Sequence, residues 1–81
     1  GREELAEYIR HRLKVANDSR DSNNRIYFTD EAVDIIFQNS GGTPRMVNIL
    51  CDRALLAGFA AETNKIDQHI LHKCAQEVIF Q

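Results

Sequence analysis

Ser40-Gly41-Gly42-Thr43-Pro44-Arg45 is a helix stop and a helix start placed end to end. A glycine just past a helix accepts the left-handed backbone that closes it, so Gly41 and Gly42 end whatever precedes them. Thr43 is a good N-cap, and Pro44 suits the first helical position, where its missing N–H costs nothing. Two helices therefore meet here across a short turn. The upstream one begins after Thr29, an N-cap followed by Asp30 and Glu31, and presents Val33, Ile36 and Phe37 on one side. The downstream one runs from Pro44 to about Glu62, about 28 Å of helix. Met46, Val47, Leu50, Ala54, Leu55, Leu56, Ala57 and Phe59 cover nearly its whole circumference, so it is expected to be a central helix packed on all sides. Gly58 inside it costs about 1 kcal/mol of helix propensity; close approach of a neighbouring helix is the expected compensation.

Two more helices flank this pair. Glu3 to Ala16 carries Leu5, Tyr8, Ile9, Leu13 and Ala16 at helical spacing. Asn17 to Arg25 has no apolar residue and reads as a solvated loop, after which Ile26, Tyr27 and Phe28 re-enter the core. A turn at Thr63 to Lys65 leads to Ile66, and Asp67 caps a fourth helix with the stripe Ile70, Leu71, Cys74 and Val78. The expected fold is all-α, a compact four-helix bundle without a sheet, with residues 1–81 as a single domain.

Composition narrows the function. The chain has 81 residues, 43% apolar and 27% charged, which suits one small globular domain and is too short for the common large catalytic folds. It starts at Gly1 with no N-cap, so it is expected to be a piece of a larger protein. Ten Lys+Arg against twelve Asp+Glu give a net charge of −2, a poor balance for non-specific nucleic-acid binding. The local exception is Arg10, His11, Arg12 and Lys14, which otherwise form a solvated helix face. No apolar run reaches the ~20 residues of a membrane span, and no signal peptide is visible. Cys51 and Cys74 lie in helical patterns without a CxxC and read as reduced core thiols of a cytoplasmic protein.

Arg45 is the informative residue. It sits in the first turn of a helix, where unpaired N–H groups and the macrodipole already make the environment positive. The same place is a natural anion site, and a guanidinium fork beside it grips phosphate. Gly41 and Gly42 allow a ligand to approach the backbone closely. Together these residues make half of a phosphate site; the plainer alternative is a routine helix start with an exposed arginine.

The pattern around Arg45 resembles the sensor-2 motif (Gly-x-Pro-Arg) in the lid of AAA+ ATPases. The RuvB helicase lid carries the same Gly-Thr-Pro-Arg, so those four residues alone are weak. The likeness continues through Tyr8-Ile9-x-His11-Arg12-Leu13, Phe28-Thr29-x-Glu31-Ala32, Pro44-Arg45-x-x-Asn48 and Leu50-Cys51-Asp52-Arg53-Ala54-Leu55-Leu56. This series is similar to the lid of secretion-type AAA+ ATPases, the general secretion pathway protein A group. ATPases of exosortase systems and type IV pilus biogenesis are similar too. The resemblance implies a lid that folds over ATP with Mg2+, the nucleotide being held by the P-loop of an upstream α/β subdomain of the same chain. Arg45 would then reach the β/γ-phosphates as sensor 2, with Gly42 and Pro44 near the nucleotide and Tyr8 and Ile9 lining the adenine pocket. Implied partners are neighbouring ATPase subunits and secretion-system components, with the parent associated with the inner membrane. One departure is the loop 17–25, longer and more polar than the group leads one to expect. The chain itself has no Gly-x-x-x-x-Gly-Lys-[Ser/Thr] and no acidic Walker-B strand, so it cannot hydrolyse ATP alone.

Other groupings carry less. His69 and His72 share a helix face, but Cys74 points away from them and no third metal ligand is evident, so no metal is expected. Asp52 is placed to pair with Arg12 or Arg53, and Asn48 to bond the loop before its helix. The competing readings are a small DNA-binding domain using the third helix for recognition, or a protein-interaction bundle.

Overall fold

The computed structural model describes residues 1–79. Helix α1 (Arg2–Asn17) leads through a short 3-10 turn at Ser22–Asn24 to β1 (Tyr27–Phe28), and α2 (Asp30–Ser40) follows. Then come α3 (Pro44–Ala60), β2 (Lys65–Ile66) and α4 (Gln68–Ile79). The four helices pack around one core built from Leu5, Ile9 and Leu13 of α1, Val33 and Ile36 of α2, Val47, Leu50 and Ala54 of α3, and Leu71 and Ala75 of α4. The all-α bundle expected from the helical spacing is the architecture found.

It differs in a small sheet. Tyr27 pairs with Lys65 and Phe28 with Ile66 in a parallel ladder. The bonds Tyr27 N–H to Asn64 O and Thr29 N–H to Ile66 O, both 3.0 Å, flank it. The two strands are the connections on either side of the α2–α3 pair, too short for periodicity to reveal. Because side chains alternate along a strand, Ile26 is buried while Tyr27 is 51% exposed.

The loop after α1 is also less solvated than its composition implies. Asn17 is 6% exposed. Its amide donates to Ile26 O at 3.1 Å and accepts from Ile26 N–H at 2.9 Å, so one side chain satisfies both backbone groups. Asp18, Ser19, Asp21 and Asn23 to Arg25 are exposed, and Arg20 lays its guanidinium over the Phe59 ring, 5.5 Å from the centroid.

Helix α3 is not surrounded. Leu56 is 68% exposed and Phe59 62% exposed, so the last turns of its outward face are apolar. Beside Gly58 lies the Ile66 side chain of β2, not a helix. The end of α3 closes with Thr63 N–H on Gly58 O and Glu62 N–H on Phe59 O, with Glu62 at φ 54 in the left-handed region. Among the described residues no helix is long and apolar enough to cross a membrane.

Candidate functional site

The turn between α2 and α3 is held from within. Gly41 (φ 62) caps α2 by donating its N–H to Phe37 O, and Gly42 (φ 79) continues the left-handed path. Ser40, buried, accepts from Gly42 N–H on its Oγ and from Thr43 N–H on its carbonyl. A Cβ at either glycine would meet nothing within 4 Å, so the backbone of the turn faces open space. Conformation requires glycine here, and the missing side chains leave the peptide groups accessible.

Helix α3 then begins without the cap that its sequence leads one to expect. Thr43 holds the N-cap position, but its side chain makes no capping bond. By contrast Thr29 Oγ1 accepts from Ala32 N–H at the start of α2, and Asp67 Oδ1 from Ile70 N–H at the start of α4. Among the described residues nothing accepts from Arg45 N–H or Met46 N–H, and no acidic residue lies in the first turn of α3. Arg45 is exposed, with no ion-pair or hydrogen-bond partner among the described residues. Unbonded N–H groups and an exposed cation lie in the same helical turn, an environment suited to an anion.

A groove of about 290 Å³ lies alongside, between α1 and the start of α3. Its walls include Leu5 and Tyr8 of α1, Phe37 of α2, and Gly42, Pro44 and Val47. Of the five residues named from sequence, Tyr8, Gly42 and Pro44 line this one groove, and Arg45 follows Pro44 in the chain. Ile9 does not join them: it is 2% exposed and turned into the core. Adjacent residues on a helix point about 100° apart, so Tyr8 and Ile9 face different ways.

A polar bracket joins α1 to α3. Tyr8 Oη–H donates to Asn48 Oδ1 at 2.6 Å, and Arg12 Nη1 donates to the same oxygen at 2.6 Å. The other Arg12 nitrogen pairs with Asp52. Asn48 thus bonds the facing helix, not the preceding loop. The signal was present in sequence as two matched pairs, Tyr8/Arg12 and Asn48/Asp52, each four apart and so on one helix face. Arg10 likewise pairs with Glu7, and Arg53 with Glu77 at 3.6 Å. Of the basic run 10–14, only His11 and Lys14 remain outside these ion pairs.

The remaining reactive groups are placed differently. Cys51 and Cys74 are free and buried. Burial pushes the Cys51 thiol up to about 11, nearby Arg12 opposing the shift and Asp52 adding to it. Burial raises the Cys74 thiol as well. His69 and His72 are exposed, and among the described residues no three side chains are grouped to hold a metal ion.

No family model matches the chain, and no solved structure does. Among curated proteins, general secretion pathway protein A of Aeromonas hydrophila is 39% identical over 71 residues. That stretch is 88% of this chain and 12% of the relative, so the chain spans about an eighth of the length of the protein it matches. The group named from the motifs and the relative found by comparison agree: this chain is homologous to one segment of general secretion pathway protein A.

Proposed function

We propose that the chain is the helical lid of a secretion-type AAA+ ATPase, and that Arg45 is its sensor-2 arginine. The observation that carries this is the unpartnered Arg45 at the uncapped start of α3, beside a groove lined by Tyr8, Gly42 and Pro44. The donor set fits a nucleoside triphosphate. Two backbone N–H groups and a planar guanidinium suit phosphate oxygens, and the two aromatic rings in the groove wall, Tyr8 and Phe37, suit a base. When bound with Mg2+ on an upstream P-loop subdomain, ATP supplies the phosphoanhydride whose hydrolysis drives the parent.

The chain's own residues then have distinct tasks. Arg45 offers a bidentate fork to the terminal phosphates, where charge builds up during transfer. Pro44 and the Gly41–Gly42 turn fix the direction in which that fork leaves the helix. Leu5, Tyr8 and Val47 keep water from the base side of the groove. The lid would move relative to the P-loop subdomain as Arg45 gains and loses its anion, making it a gating element. Neighbouring subunits and secretion-system components are the partners of this reading, and the parent's work is secretion or pilus-type assembly at the cytoplasmic face of the inner membrane.

The DNA-recognition reading has less support. The outward face of α3 carries Arg45, Asp52, Leu56 and Phe59, one cation beside an acid and two apolar side chains, too few donors for base edges or a run of phosphates. Arg45→Ala in the full-length parent tests the lid reading: ATP turnover should fall about 100-fold while the helical circular dichroism is kept. Unchanged turnover would remove Arg45 from the reaction.

A further inference from the structure

Asn48 lies one turn beyond Arg45 on α3, yet both bonds to its oxygen come from α1. Arg12 is a pure donor, so the atom facing it is the oxygen, and the Tyr8 hydroxyl must then donate to that same atom. The Tyr8 ring stands at the groove wall, 40% exposed, and a tyrosine so placed would otherwise swing about its two side-chain torsions. Tethering its hydroxyl holds the ring in place before any ligand arrives, and a wall fixed in advance loses less entropy on binding. Arg12 fixes the Asn48 amide in turn and is itself held by Asp52.

We propose that Asn48 is a positioning residue for the base of a nucleoside triphosphate, acting through Tyr8. This rests on the lid reading above. Arg45 and Asn48 are three residues apart on one helix, about 4.5 Å along its axis. A single rigid element therefore sets both the phosphate fork and the anchor of the aromatic wall. With its hydroxyl proton engaged by Asn48, Tyr8 offers a ligand its ring face and no free donor. A ring face stacks on any planar base with little preference among bases. The lid side of the pocket therefore recognises that a base is present and not which base it is.

Steady-state ATP hydrolysis by the full-length parent tests this, with KM and kcat measured for Asn48→Leu, Asn48→Asp and Tyr8→Phe. Asn48→Leu removes both bonds to the Asn48 oxygen and Tyr8→Phe one of them; each frees the Tyr8 ring and should raise KM for ATP about three- to tenfold, with kcat within about twofold. Asn48→Asp keeps the acceptor oxygen and should return KM to within about twofold of the unaltered protein. A merely structural role would lower thermal stability and leave KM alone. Unchanged KM in the Leu and Phe variants, or an Asp variant no better than the Leu variant, overturns the proposal. Should Asn48→Leu fail to fold, Tyr8→Phe, which loses one hydroxyl, decides by itself. The two readings fail separately: an Arg45→Ala variant with normal kcat sinks the lid, whereas a slow Arg45→Ala variant with unmoved KM in the others sinks only the role of Asn48.

Discussion

Gly58 of α3 and Ile66 of β2 are in such close contact that a Cβ on the glycine would sit 2.5 Å from Ile66 Cδ1 and 3.2 Å from Thr63 O. Ile66 is 1% exposed, so its methyl has little room to retreat. Gly58→Ala gains about 1 kcal/mol of helix propensity and loses about 1–3 kcal/mol to overpacking. The net expectation is a less stable protein, read as a lower midpoint in urea. Ile66→Val removes the obstructing methyl, and in that background Gly58→Ala should be neutral or stabilising. Independent effects of the two changes would mean that contact with Ile66 is not why the glycine is there.

Asn17 offers a second stability test. Its side chain serves both the N–H and the C=O of Ile26 in a buried setting. Asn17→Ala leaves both groups without partners and should cost about 2–4 kcal/mol. Asn17→Asp keeps the acceptor but turns a carboxylate toward the Ile26 carbonyl, so it should also destabilise. Thermal denaturation of the three proteins distinguishes this from a surface loop residue, whose replacement shifts stability by no more than about 0.5 kcal/mol.

The two threonine caps should behave differently. Thr29 accepts a bond from Ala32 N–H, and Thr29→Ala should cost about 1 kcal/mol. Thr43 makes no such bond, so Thr43→Ala should cost only a few tenths of a kcal/mol. Equal losses in urea denaturation would show that Thr43 does cap α3, and that its N–H groups are less free than described.

Cys51 gives a pH dependence with a definite sign. Its thiol moves from the ordinary 9.0 to about 11 on burial. Below about pH 9 the thiol keeps its proton whether the chain is folded or unfolded, and its contribution is fully present. Between about 9 and 11 the unfolded chain releases that proton while the folded chain retains it, so stability falls as pH rises. The loss approaches about 3 kcal/mol. The measurement is the difference between the unaltered chain and Cys51→Ala. That difference should shrink above pH 9; a constant difference would show that Cys51 ionises as easily folded as unfolded.

The four helices, the caps at Thr29 and Asp67 and the glycine turn were legible because each rests on local chemistry that acts over three or four residues. Other features depend on partners distant in sequence. Nothing local in Asn17 says that it reaches Ile26, and a two-residue strand has no period to read. The apolar circumference of α3 suggested burial on all sides, but a bundle of four short helices cannot cover every face, so Leu56 and Phe59 stay outside. The groove brings Tyr8 to Gly42 and Pro44, a tertiary relationship that composition and spacing do not contain. Ile9 shows the limit of carrying two adjacent residues over together, since helical rotation separates what sequence places side by side.

The parallel ladder also has a mechanical consequence. It joins the strand that enters α2 to the strand that leaves α3, so this pair forms a closed loop pinned at its base. The Gly41–Gly42 turn is the far tip of that loop, roughly 16 Å away along the eleven residues of α2. A load applied at the tip, such as an anion pulling on Arg45, is shared by two rods and borne at the base by strand hydrogen bonds. The tip can then be displaced as part of one stiff lever, with little bending of α3.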